Sequence, residues 1–202
     1  MTTAQDLLFV AMDLPSTRSL ERGDLSLALA GAELIDLLGL GAVTLDGESV
    51  LPTGRSVAAD PLLELAAAAV APVADGETVE DWLWRRGRGL PDTYIAALEA
   101  DGLLGREQRR RYLVLRTSRM VLRDSDGRRR AAHRWAADEP TLLALAAAIG
   151  ISGPPPVPEP APGPVATVVT AVRHAVDELA AERSRRARRL DEANQTYVRR
   201  GF

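Results

Sequence analysis

The chain has 202 residues, of which 46% are hydrophobic, and this length fits one domain with a buried core. It contains no cysteine, which excludes disulfides, thiolate catalysis and most structural zinc sites. Its formal net charge of −3 conceals two opposed blocks: residues 1–84 carry three arginines and fourteen acidic residues, and residues 85–134 carry fourteen arginines and six acidic residues.

The first 84 residues predict helices with one intervening hairpin. Ala and Leu dominate the apolar content and aromatic residues make up only 4%, which favours a mainly α fold. Capping residues, apolar spacing and turn dipeptides set the expected limits. The helices are expected over 3–12, 24–38, 61–71 and 78–84, and the hairpin over 43–51 around Asp46-Gly47. Trp82 and Trp84 cannot face the same side of a helix, because they are two residues apart.

The middle of the chain is basic. Residues 85–89 predict a flexible connection, followed by a helix over 91–100 that Gly102 closes. Residues 109–123 predict a hairpin in which the apolar runs 112–115 and 120–122 pair across a turn at 116–119. Because a hairpin this apolar is not stable alone in water, we expect it to protrude and to meet a partner, or to pack on its own domain.

The last third predicts a helix over 141–149, a proline-rich spacer and a long terminal helix. The expected organisation is a core helical domain over 1–151, a spacer over 152–164 and a C-terminal helix over 165–202 that docks on the core through its first half. No signal peptide or membrane span is recognisable, so we expect a cytoplasmic protein whose membrane contact is peripheral.

No residue pattern indicates an active site. His133 and His174 lack a nearby cluster of carboxylates at metal-ligand spacing, and no glycine pattern fits a phosphate-binding loop or a dinucleotide turn. Paired acidic residues lie at expected helix starts, where they stabilise the helix dipole. We therefore expect a protein that is not an enzyme and that has no metal and no cofactor.

The net charge of +8 over residues 85–134 predicts an anionic partner. Arginine binds phosphate oxygens through two parallel hydrogen bonds, so the candidate phosphate-binding residues are Arg85, Arg86, Arg88, Arg109, Arg110 and Arg111. One alternative is that these arginines form a solvated face that the acidic first block neutralises. Another is a winged-helix protein that binds DNA, although the helix that would enter the groove has no arginine and three acidic residues.

The order of several segments resembles the Golgi phosphoprotein three family, whose members are peripheral proteins that bind phosphatidylinositol 4-phosphate. The resemblance covers residues 2 to about 150. It rests on Thr3-Ala-Gln-Asp-Leu-Leu-Phe-Val-Ala-Met-Asp13, on Leu27-Ala-Leu-Ala-Gly-Ala-Glu-Leu-Ile-Asp-Leu37, on Val79-Glu-Asp-Trp-Leu83, on Leu98-Glu-Ala-Asp-Gly-Leu-Leu104 and on the hairpin from Tyr112 to Leu122.

The resemblance implies a single helical domain with a lipid-headgroup pocket beside a hydrophobic hairpin that is also an oligomer contact. The tryptophan of that pocket falls at about Glu21, and one of its arginines falls at Ala30. Of the two later arginines, one falls at Arg88 and the other at Pro91, with Arg85 and Arg86 close enough to substitute. We therefore expect the phosphate-binding half of the pocket to be kept.

The resulting hypothesis is non-enzymatic binding of phosphatidylinositol 4-phosphate or another anionic lipid headgroup at a membrane surface. The six arginines would capture the headgroup, and the hairpin would contact the membrane or a second copy of the chain through Tyr112, Leu113, Val114, Leu115, Met120, Val121 and Leu122. The alternatives are an oligomerisation or scaffold module that uses the same hairpin, and a DNA-binding regulator.

Overall fold

The fold is mainly α-helical, as the composition predicts. In the computed structural model, the described residues are 2–14, 20–57, 60–70, 76–111, 115–153 and 159–199. They contain eight helices and two small antiparallel sheets. Among these helices, none combines the length and the apolar character that crossing a bilayer requires.

The first half of the chain follows the predicted elements closely. The helices are α1 (Thr3–Asp13), α2 (Arg22–Gly39), α3 (Pro61–Ala69) and α4 (Val79–Arg86), and the strands are β1 (Val43–Asp46), β2 (Ser49–Pro52) and β3 (Glu77–Thr78). The hairpin around Asp46-Gly47 is confirmed, with Asp46 opposite Ser49, and β3 adds a short third strand beside β2. Side-chain oxygens of Thr2, Asp60 and Thr78 cap α1, α3 and α4.

The second half of the chain contains more helix and strand than the sequence predicts. Its elements are α5 (Leu90–Ala100), β4 (Leu104–Arg111), β5 (Leu115–Leu122), α6 (Asp126–Ala136), α7 (Pro140–Ala148) and α8 (Pro164–Arg199). No helix was expected at α6. Ser125 caps it by accepting a hydrogen bond from the Arg128 backbone N–H at 3.2 Å.

Helix α2 is the centre of the core, with α1, α4, α5 and α8 packed around it. Gly31 allows α8 to approach closely, because a Cβ atom at this position would lie 2.4 Å from Val172 Cγ2. The first half of α8 buries Val168, Val169 and Val172 in the core, whereas residues 185–193 are exposed. The division into a core domain, a spacer and a docked C-terminal helix stays a prediction.

The turn of the basic hairpin was wrongly placed. Strands β4 and β5 pair from Leu104 opposite Leu122 to Arg111 opposite Leu115, so residues 116–119 lie within a strand and do not form the turn. Residues 112–114 are outside the described residues. The prediction failed because it paired the two apolar runs with each other. The strand preference of a residue depends strongly on its surroundings, and in this fold the arginine-rich residues 104–111 form the first strand.

Candidate functional site

Helix α4 positions the first group of candidate arginines. Trp82 is fully buried and donates its indole N–H to the Ala30 carbonyl oxygen at 3.0 Å, which fixes α4 against α2. Trp84 is only half-buried, so the prediction that the two tryptophans face different sides is confirmed. Arg85 and Arg86 are the last two residues of α4, which corrects the expectation that they belong to a flexible connection.

Arg85 is held by neighbouring groups on several sides. Its guanidinium donates to both carboxylate oxygens of Glu77, at 2.6 and 2.5 Å, and to the Ala69 carbonyl oxygen at 2.9 Å. It also lies over the Trp82 ring, 5.4 Å from the centroid. Hydrogen bonding to Glu77 raises the pKa of Arg85. Its side chain remains 44% exposed, so a ligand can reach it only in competition with Glu77.

Arg86 is part of a buried network and not of a free surface. It donates to both oxygens of Glu33, at 2.7 and 2.9 Å, and Tyr94 donates its hydroxyl to the same carboxylate at 3.1 Å. The Glu33 side chain is 0% exposed. Burial raises the pKa of Glu33, while Arg86 and Tyr94 act in the opposite direction by stabilising the carboxylate. Arg86 therefore balances a charge inside the protein.

Arg88 lies in the exposed connection between α4 and α5, with a glycine on each side of it. At Gly87 a Cβ atom would lie 2.7 Å from the Leu83 carbonyl oxygen and 3.0 Å from that of Ser26. Gly89 has a φ of +71°, which side-chain-bearing residues rarely adopt. Within the described part of the chain, Arg88 makes no ion pair. Its guanidinium is thus presented to solvent from a defined backbone position.

Arg22 is a residue of this region that the sequence reasoning missed. It is the first residue of α2 and pairs with Asp92 in the first turn of α5, the helix that Arg88 precedes. Both side chains of the pair are more than half exposed, at 68% and 60%. The sequence could have indicated Arg22, because it directly follows Glu21, the position at which the resemblance places the tryptophan of the headgroup pocket.

The structure describes the hairpin candidates only in part. Strand β4 includes Arg109, Arg110 and Arg111, and strand β5 includes Leu115, Met120 and Val121. Tyr112, Leu113 and Val114 are outside the described residues. Leu122 is buried in the core together with Leu104, so it anchors the base of the hairpin and does not belong to an exposed contact surface.

Ion pairs connect the two charge blocks of the sequence. Arg85 binds Glu77, Arg86 binds Glu33, Arg128 binds Asp13 at 2.7 Å and Arg134 binds Asp6 at 2.6 Å. Of the six candidate arginines, Arg85 and Arg86 are thus paired with carboxylates of the acidic first block, as one alternative predicted, although Arg86 is not part of a solvated face. The cationic surface near α4 is reduced to Arg88 and, in part, Arg85.

A cavity of about 860 Å³ is lined by other residues than Arg85, Arg86 and Arg88. Its walls combine apolar residues of α2 and β1 with Asp36, Asp60 and Arg134. Asp36 accepts a hydrogen bond from the Thr3 backbone N–H at 2.7 Å, and burial raises its pKa to about 6. None of Arg85, Arg86 and Arg88 lines the cavity, so it is not the site that the sequence predicts.

The mainly helical domain carries an exposed arginine between two glycines directly before α5 and a two-stranded hairpin after that helix. The model of the family described as Golgi phosphoprotein 3 (GPP34) matches residues 4–200. The chain therefore belongs to this family, and the match extends the resemblance from about residue 150 through α8. No curated protein matches the chain.

Proposed function

We propose that this protein binds anionic lipid headgroups of the phosphatidylinositol 4-phosphate type at a membrane surface and catalyses no reaction. Membership of the Golgi phosphoprotein 3 family supports this proposal, because the family is one of phosphoinositide-binding peripheral proteins. The observation that carries it is the position of Arg88, which is exposed in a short connection that backbone hydrogen bonds of Gly87 to Leu83 and to Leu90 order.

Arg88 would make the first phosphate contact. A guanidinium offers a planar pair of N–H donors that matches two phosphate oxygens, and a preordered loop loses little entropy when it binds. Each arginine near an anionic leaflet contributes about 1 kcal/mol of binding free energy. Arg88 alone is therefore insufficient, and Arg109, Arg110 and Arg111 of β4 would supply the remaining attraction.

Arg85 and Arg86 have different roles in this proposal. Arg85 would join the headgroup contact by exchanging its bond to Glu77 for one to phosphate, since nearly half of its side chain is exposed. Arg86 would act only as a positioning residue, because its guanidinium is already bonded to Glu33. Its removal would disturb the end of α4 and so displace Arg88 indirectly.

The hairpin would provide the second contact. Its base is anchored in the core through Leu104 and Leu122, and eight residue pairs extend from there toward the connection at 112–114. The residues Tyr112, Leu113, Val114, Leu115, Met120 and Val121 would insert into the membrane interface or meet a second copy of the chain. Light scattering of the protein before and after Leu113→Ser with Met120→Ser distinguishes the two, since only a contact between copies predicts a fall in mass.

The test is vesicle flotation with Arg88→Ala and a matched control. Arg55→Ala removes the same charge from another exposed arginine, in the loop after β2. We expect the wild type to float with vesicles containing phosphatidylinositol 4-phosphate, to float less at raised salt and to stay behind with neutral vesicles. Arg88→Ala should weaken binding by about five-fold or more, and Arg55→Ala should change it little. Equal loss in both variants, or binding to duplex DNA alone, would contradict the proposal.

A further inference from the structure

A histidine and two glutamates converge on the surface where α8 crosses α4. His174 and Glu178 are one helical turn apart on α8, and Glu80 is the second residue of α4. One ligand atom from each of the three side chains lies within 4.8 Å of the other two. The expectation that His174 has no carboxylate cluster is therefore wrong. The spacing of four between His174 and Glu178 was a visible signal, but Glu80 is brought in only by the fold.

The donor set favours a divalent transition-metal ion over magnesium or calcium. A neutral imidazole nitrogen with two carboxylate oxygens suits Zn²⁺ and its first-row neighbours, whereas the harder cations prefer oxygen alone. Metal–ligand distances near 2.0–2.2 Å require the three donor atoms to approach to about 3–3.5 Å. All three side chains are exposed, so small rotations of their χ angles can close that gap without moving the packed helices.

The surroundings leave space for the remaining ligands of such an ion. A cavity of about 680 Å³ adjoins the cluster, and Glu80 and His174 lie in its wall together with Glu48. Water or a small anion can therefore complete the coordination shell. The nearby Arg173 is bonded to Glu159 at 2.9 Å, which reduces its repulsion of a cation.

We propose that Glu80, His174 and Glu178 form a binding site for one Zn²⁺-class divalent cation that ties α8 to α4. Because the ligands come from both helices, the bound ion stabilises the docked position of the C-terminal helix against the core. The site uses none of the arginines assigned to headgroup binding, so it stands independently of the proposed function.

Calorimetric titration of the full chain with ZnCl₂ and MgCl₂ tests the site, combined with thermal unfolding. We expect one Zn²⁺ per chain, a higher melting temperature with Zn²⁺, and much weaker binding of Mg²⁺. His174→Ala should lower Zn²⁺ affinity at least about ten-fold, because it removes the nitrogen ligand. Glu80→Gln should reduce the rise in melting temperature, because it removes the ligand on α4.

His133→Ala is the matched control, because the chain has only two histidines and His133 is exposed on α6. It should bind Zn²⁺ as the wild type does. All three ligand side chains are exposed, so their variants should remain folded, and circular dichroism verifies this. The proposal would be overturned if His174→Ala bound Zn²⁺ as tightly as the wild type does, or if the wild type did not bind Zn²⁺.

Discussion

Glu33 and Arg86 form an ion pair whose carboxylate is fully buried, and this pair explains why Arg86 is not available to a ligand. Breaking such a pair by removing one partner leaves an uncompensated charge in the interior. Arg86→Ala should therefore lower the free energy of unfolding by about 3–5 kcal/mol, measured by urea denaturation.

Arg22→Ala is the control for this prediction, since the Arg22–Asp92 pair is exposed on both sides. It should cost less than about 1 kcal/mol. A similarly small loss of unfolding free energy for Arg86→Ala would mean that the buried Glu33 carboxylate does not need Arg86 to stabilise it. A membrane-binding defect of Arg86→Ala is interpretable only after this measurement, because a destabilised α4 also displaces Arg88.

Asp36 gives the protein a defined pH dependence. Burial raises the pKa of Asp36 from 3.8 to about 6, so the folded state binds the proton more tightly than the unfolded state does. The resulting stabilisation is present below the unfolded pKa and is lost as the pH rises through about 6. Asp36→Asn removes this dependence. Its free energy of unfolding, relative to wild type, should increase by about 2 kcal/mol between pH 4.5 and 7.5.

The same pH series with Asp46→Asn controls for the change in net charge, because Asp46 is exposed on β1. Urea unfolding at each pH provides the measurement. If Asp36→Asn differed from the wild type by a constant amount over this range, the pKa of Asp36 would not be raised in the folded protein.

At the scale of elements, the contact between α2 and α8 depends on Gly31. An alanine Cβ there would lie 2.4 Å from Val172 Cγ2, and valine is stiff about χ1. Overpacking costs about 1–3 kcal/mol, which exceeds the gain of about 1 kcal/mol that alanine brings to a helix interior. Gly31→Ala should therefore lower the free energy of unfolding by about 1 kcal/mol.

Gly39→Ala is the matched substitution at the end of the same helix, where no atom lies within 4 Å of the added Cβ. It should be neutral or slightly stabilising. Chemical denaturation of both variants gives the comparison, and adding Val172→Ala to Gly31→Ala should show a favourable coupling of about 1 kcal/mol. Equal effects of the two glycine substitutions would indicate that α8 does not press on Gly31.

Local signals predicted most of the helices and the first hairpin. The Thr78 cap of α4, Pro61 at the start of α3 and the Asp46-Gly47 turn each act within a few residues, so the sequence alone reveals them. Helix α6 was missed because its polar composition lacks an apolar periodicity, although Ser125 and Asp126 supply a readable start. The register of β4 and β5 depends on which residues pair across the turn, and two apolar runs were a misleading guide to it.

The candidate site was predicted less well than the fold, because the partners of its arginines are distant in the sequence. Glu33 lies 53 residues before Arg86, and only tertiary packing brings the two together. Arg88 could be assigned to an exposed loop because Gly87 and Gly89 flank it. Composition revealed how many arginines the middle block contains, but not which of them the fold would leave unpaired.

For the whole molecule, opposed charge blocks fold against each other. The acidic first block supplies carboxylates to Arg85, Arg86, Arg128 and Arg134, so the attraction expected from a net charge of +8 is reduced. Other exposed arginines lie on the second half of α8, among them Arg188 and Arg189. We assign headgroup binding to the loop at Arg88 and to β4, and this assignment can be tested against the exposed arginines of α8.

Backbone amide NMR of the labelled protein, titrated with lipid nanodiscs that contain or lack phosphatidylinositol 4-phosphate, tests this assignment most directly. We expect the phosphoinositide to shift or broaden resonances of residues 85–90, of the start of α2 and of β4, and we expect Arg88→Ala to weaken this response. Perturbation confined to residues 185–193 of α8, or no perturbation by the phosphoinositide beyond that of neutral nanodiscs, would contradict it.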